Sequence, residues 1–262
     1  MRAISDSKMV IKKFRTGIYI PSIFTAINIG CGFMSVIFAL KEKYSLAAWL
    51  IVIGWVMDSL DGYLARATNT GSSFGVEFDS IADMVSFGMA PALLVWIYYL
   101  KDFRLGWAVC LLYVLTVAIR LARYNTSASS DEKSPYFEGL PSPAAAGILS
   151  AFVLLTEIYK ADSPKRSFRF LVEKAPLFAN ILPFAIILIS FLMLTKLRYP
   201  HGSRFKLIGM LPMRVFMIMI VWLVLFVMYP ESVISLMLIA YLLYGLVDLA
   251  VMTTRIRRDK LK

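Results

Sequence analysis

Long apolar runs divide this chain, and they restrict its fold more than any other feature. From Pro21 to Leu40 there is no Asp, Glu, Lys or Arg, and comparable runs recur almost to the C-terminus. At about 1.5 Å per residue, such a run crosses the ~30 Å hydrocarbon core of a bilayer as one helix. A helix suits that setting because it satisfies its own backbone N–H and C=O groups where water is absent. With 59% hydrophobic residues and a mean hydropathy of +0.71, an ordinary soluble domain is excluded. The net charge of +11 therefore reports the loops of a membrane protein rather than a nucleic-acid partner.

The runs predict an all-α integral membrane protein of about eight transmembrane helices. These are placed at about 21–40, 45–67, 75–100, 105–124, 143–159, 178–196, 212–229 and 232–250. Pro143 suits the first turn of the fifth helix, with Ser142 as its N-cap. Residues 1–19 form a basic segment, read either as an interfacial helix on anionic lipid or as a basic tail; residues 251–262 form a basic tail at the other end. With the N-terminus inside, inner segments hold 19 Lys and Arg against 9 outside, which favours that orientation although the 160–177 loop opposes it. Cys31 and Cys110 both lie within apolar runs, so buried free thiols are expected and no disulfide framework follows.

One polar stretch interrupts this pattern. It runs Asp58-Ser-Leu-Asp61-Gly62-Tyr-Leu-Ala65-Arg66, then eight residues, then Gly75-Val-Glu-Phe-Asp79-Ser-Ile-Ala-Asp83. On a helix, Asp58, Asp61, Gly62, Ala65 and Arg66 fall within roughly 140° of one face. Gly75, Asp79 and Asp83 share another face at i+4 spacing. The polar, Gly-containing residues between them read as a turn that folds two helices into a hairpin. Carboxylates beside or within a bilayer are costly and mark a pathway or a site. Oxygen ligands without a Cys/His cluster suit Mg²⁺ or Mn²⁺, and two such ions form a device for displacement at phosphorus. The small residues leave room for a bulky group, and Arg66 suits a phosphate.

The pattern D-x2-D-G-x2-A-R-x8-G-x3-D-x3-D resembles the signature of the CDP-alcohol phosphotransferase family at every fixed position. The resemblance implies a six-helix catalytic core at about 20–196 around a cytoplasm-facing cavity, commonly in a homodimer, with the helices of 197–250 as additions. It implies attack of an alcohol on a CDP-linked lipid with CMP leaving. Asp58, Asp61 and Asp79 become metal ligands. Asp83 becomes the general base and also a metal contact, and Gly62, Ala65, Arg66 and Gly75 line the CDP-lipid site. Around this signature, Ser73–Asp83, Val85–Gly88, Ala90-Pro91, Arg120–Asn125 and Phe137–Ala146 look like the branch using CDP-diacylglycerol and L-serine, over roughly residues 18–150. Pro21-Ser22 departs from the Pro-Asn of that branch.

Serine's carboxylate needs a cation and its ammonium an acceptor. Arg120, Arg123, Asn125 and Glu77 are the candidates for holding serine or a phosphate, and the two arginines read equally well as interfacial anchors. Sister chemistry on glycerol 3-phosphate or inositol, and an ether-lipid donor, fit the same stretch. From another class, a cation or proton transporter would explain the four acids, but not Arg66 or the small residues. Asp248 near the basic tail and His201 in a Pro-containing turn carry no site.

Overall fold

The computed structural model describes residues 22–68, 73–128, 137–160, 173, 175–195, 198–199, 225, 228–241, 243 and 247. The N-terminal segment 1–19, the span expected at 212–229 and the tail 251–262 lie largely or wholly outside these residues. Helix α1 covers Ser22–Leu40 and α2 covers Tyr44–Thr68. A third rod starts as α3 (Ser73–Asp83), widens into a π-helical turn at Met84–Met89, resumes as α4 (Ala90–Val95) and ends in a second π turn at Trp96–Leu100. Then come α5 (Gly106–Ala128), α6 (Ser142–Lys160), α7 (Ala175–Leu194) and α8 (Pro230–Tyr241).

Among the described residues, five helices are long and apolar enough to cross a membrane: Ser22–Leu40, Tyr44–Leu64, Phe74–Leu100, Gly106–Thr126 and Ser142–Lys160. Ile181–Leu194 and Pro230–Tyr241 are shorter apolar pieces, at the places where the sixth and eighth spans are expected. The protein is an all-helical membrane protein; its only extended structure among these residues is a two-residue pairing of β1 (Phe137–Glu138) with β2 (Arg198–Tyr199). Its outer surface is itself apolar, with Phe33 at 60% and Phe184 at 73% exposure. Such a surface is suited to lipid rather than water.

Lipid tails are as apolar as Leu, so helices in a bilayer associate through close packing rather than through a hydrophobic difference. Small residues set the contacts here. A Cβ on Gly32 of α1 would come within 2.6 Å of Ser86 Oγ and 2.8 Å of Ser86 Cα. One on Gly54 of α2 would come within 2.9 Å of Asn28 Oδ1, and one on Gly147 of α6 within 3.1 Å of Leu238. The Ser86 hydroxyl also donates to Asn28 O at 2.7 Å, tying the π turn to α1. Helix α2 packs on α6 and α5 on α7, and Ala47 and Ala48 of α2 and Ala145 and Ala146 of α6 are fully buried.

Two local features explain how the rods turn and bend. Helix α1 ends with Glu42 in the left-handed region at φ 58, Lys43 N–H donating to Phe38 O and Glu42 N–H to Ala39 O. This is the Schellman arrangement, with Glu at the position usually held by Gly. In the third rod, Pro91 has no N–H to give the carbonyl of Phe87 four residues earlier. The Tyr113 hydroxyl of α5 donates to that carbonyl instead, at 2.8 Å and fully buried.

The start of α6 corrects one sequence expectation. Ser142 is not its N-cap: Pro141 occupies that place, its carbonyl accepting from Ala145 N–H at 3.0 Å, and Ser142 begins the helix. The Ser142 hydroxyl is thereby left available to another helix.

Candidate active site

The acids come together from two helices that follow one another in the chain. Asp58 and Asp61 lie within the last three turns of α2, and Asp79 and Asp83 in the second half of α3. Asp58, Asp61 and Asp79 each offer a carboxylate oxygen within 4.8 Å of the others. Three negative charges that close repel by roughly 3 kcal/mol per pair at an effective dielectric near 20. The sum approaches the whole stability of a typical domain, so a bound cation is the natural counterpart of this geometry.

The surroundings agree. Asp61 is 5% exposed and accepts a hydrogen bond from Thr25 Oγ1 at 2.9 Å, so α1 orients one of the three carboxylates. Asp79 Oδ1 and Asp83 Oδ1 are buried with no hydrogen-bond partner. Buried carboxylate oxygens left so are expensive unless an ion or ligand meets them. An all-oxygen donor set with such oxygens fits a hard divalent cation. Asp83 stands outside the three-acid cluster, with its carboxyl against Asp58 and within electrostatic reach of Arg120.

The other anticipated residues divide. Gly62 and Gly75 are partly exposed on the same two helices, one residue beyond Asp61 and four before Asp79. Ala65 and Arg66 continue α2, with side chains outside the described set. Arg120 Nη1 donates to Ser142 Oγ at 2.7 Å, and Arg120 Nε is buried without a partner. Arg123 is drawn elsewhere: its Nη1 donates to Leu194 O at 3.1 Å, at the C-terminal end of α7. Asn125 is engaged with Ser80 of α3 in a pair of hydrogen bonds at 2.9 and 3.1 Å. Glu77 is exposed.

Sequence reasoning missed Thr25 and Ser142 as parts of the site. Thr25 had left a signal, since with Asn28 it breaks the apolar pattern of α1 one turn apart. Asn28 is fully buried, and its amide nitrogen and oxygen both lack hydrogen-bond partners.

Four carboxylates carried by α2 and α3, one of them bonded from α1, lie inside an apolar bundle, the arrangement that the sequence signature implies for a membrane enzyme acting at phosphate. The CDP-alcohol phosphatidyltransferase pattern matches residues 18–191, and the chain belongs to that family. Within it, the chain is 38% identical over 229 residues to the CDP-diacylglycerol–serine O-phosphatidyltransferase of Helicobacter pylori, covering 87% of this chain and 89% of that protein. It is 39% identical over 131 residues to the protein of the same name from Mycobacterium tuberculosis, covering 48% and 46%. With the archaetidylserine synthase of Methanothermobacter thermautotrophicus it shares 31% over 193 residues, covering 72% and 73%.

Proposed function

We propose that this protein transfers the phosphatidyl group of CDP-diacylglycerol to the hydroxyl of L-serine, giving phosphatidylserine and CMP in phospholipid biosynthesis. The observation that carries this reading is the likeness to the Helicobacter pylori enzyme over nearly the full length of both chains, with the acid cluster inside the matched region. In the reaction, the seryl oxygen forms a bond to the lipid-linked phosphorus. The bond from that phosphorus to the CMP oxygen breaks, and CMP leaves with the electron pair.

Asp58, Asp61 and Asp79 would hold Mg²⁺ or Mn²⁺, in our reading two ions, with Asp83 contributing to one of them. When bound, the metal withdraws charge from the diphosphate oxygens and from the leaving phosphate. Asp83 takes the proton of the attacking hydroxyl; its orphaned Oδ1, outside the three-acid cluster, supports that role. Gly62, Ala65 and Gly75 give the nucleotide room, and Arg66 meets its phosphate. Arg120 receives an anionic group of a substrate. Its buried, unpartnered Nε supports this, whereas the bonds made by Arg123 and Asn125 support bracing roles for them. We further propose a homodimer in the cell (inner) membrane, with a six-helix catalytic core and the hairpin facing the cytoplasm, where CMP is released.

The test is CMP release by purified protein in detergent with CDP-diacylglycerol and Mg²⁺ or Mn²⁺. Serine, inositol and glycerol 3-phosphate are offered separately. Release requiring metal and serine, and falling about 10²–10⁴-fold in Asp83→Asn, is expected. Release with another acceptor alone would overturn the choice of serine. No release with any acceptor would return the acids to an ion pathway.

A further inference from the structure

The guanidinium of Arg120 is held from one side only. Among the described residues its one hydrogen bond runs from Nη1 to Ser142 Oγ, at 2.7 Å. The opposite edge of the fork, Nε with Nη2, is the edge that grips a carboxylate or phosphate side-on with two parallel hydrogen bonds. On this edge Nε is buried and without a partner. A buried guanidinium is costly unless an anion meets it, and this one lies within electrostatic reach of Asp83.

The residue that holds the other edge is itself firmly placed. Ser142 is fully buried, and its hydroxyl is not spent on capping α6, because Pro141 takes the cap position. The strap before it is docked on the end of α7. Leu140 N–H donates to Leu192 O at 3.1 Å, and Gly139, at φ 78, passes so close that a Cβ there would run into Met193 O and lie 2.8 Å from Thr195 O.

We infer that Ser142 is a positioning residue: by tying Nη1 it turns the Nε–Nη2 edge of Arg120 toward the oxyanion of a substrate. That oxyanion is the carboxylate of serine or the lipid-linked phosphate. The inference rests on the reading of Arg120 given above, and the variants separate the two. A hydroxyl at 142 acts through orientation, so its loss weakens recognition of one substrate without removing a reacting group.

The experiment is steady-state CMP release by the full-length protein, with serine and CDP-diacylglycerol varied in turn, for wild type, Ser142→Ala, Ser142→Thr and Arg120→Gln. Ser142→Ala is expected to raise the KM of one substrate about tenfold, the scale of loss expected when a hydrogen bond to a charged group is removed. The other KM should stay fixed, and Ser142→Thr should return the affected value to within about twofold. A rise for serine identifies its carboxylate as the ligand; a rise for CDP-diacylglycerol identifies the phosphate. If Arg120→Gln raises a KM and Ser142→Ala moves neither, Ser142 has no positioning role and the inference falls. The same follows if Ser142→Ala lowers only kcat, or if Thr fails to rescue. If Arg120→Gln also leaves both KM values unchanged, the reading of Arg120 falls with it.

Discussion

Thr25 and Asp61 are separated by 36 positions, yet one hydrogen bond of 2.9 Å makes them parts of one site. A carboxylate that accepts from a fixed hydroxyl presents its remaining lone pairs in a defined direction, which is how residues behind a metal ligand tune it. Replacing Thr25 with Val keeps the shape and removes the donor. The metal concentration needed for half-maximal CMP release should then rise about 10–100-fold, while Thr25→Ser stays close to wild type. A Thr25→Val enzyme with unchanged metal dependence would mean that Asp61 needs no orientation from α1.

At the level of elements, the third rod matters most, because it carries two of the acids and departs from regular α geometry just beyond them. Pro91 removes a donor from the ladder, and the Tyr113 hydroxyl replaces it at the Phe87 carbonyl. Tyr113→Phe would leave that carbonyl buried and unpaired, a loss of about 1–3 kcal/mol, measurable as a shift in denaturant midpoint in detergent. The contact of α1 with the same rod depends on Gly32. Its missing side chain lets Ser86 approach, and Gly32→Val would force the backbones apart at a cost of about 1–3 kcal/mol. Because α1 also carries Thr25, this variant should lose both thermal stability and metal affinity. Loss of stability alone would show that the contact of α1 with the third rod and the site are independent.

On the scale of the whole molecule, the bundle gathers three carboxylates at a spacing that could hold a metal ion. Chelation should therefore abolish CMP release, and restoring Mg²⁺ or Mn²⁺ should recover it. A ligand at 100 times its Kd stabilises the folded state by about 2.7 kcal/mol, so metal should also raise the unfolding temperature of wild type by several degrees. Asp61→Asn should blunt that rise; an equal rise in the variant would put the stabilising ion elsewhere. Much of this architecture was legible in the sequence. Run lengths located the five helices that are long and apolar enough to cross a membrane among the described residues, and the i, i+3 and i, i+4 spacings of Asp58, Asp61, Asp79 and Asp83 assigned the acids to helix faces, because helical pitch is a local property. Hydropathy says nothing about which helices touch, since in lipid every face is equally apolar and association follows shape and hydrogen bonding. Only the tertiary structure could therefore show that Thr25 bonds Asp61, that Arg123 and Asn125 bond to neighbouring helices, and that Ser142 accepts from Arg120 rather than capping its own helix.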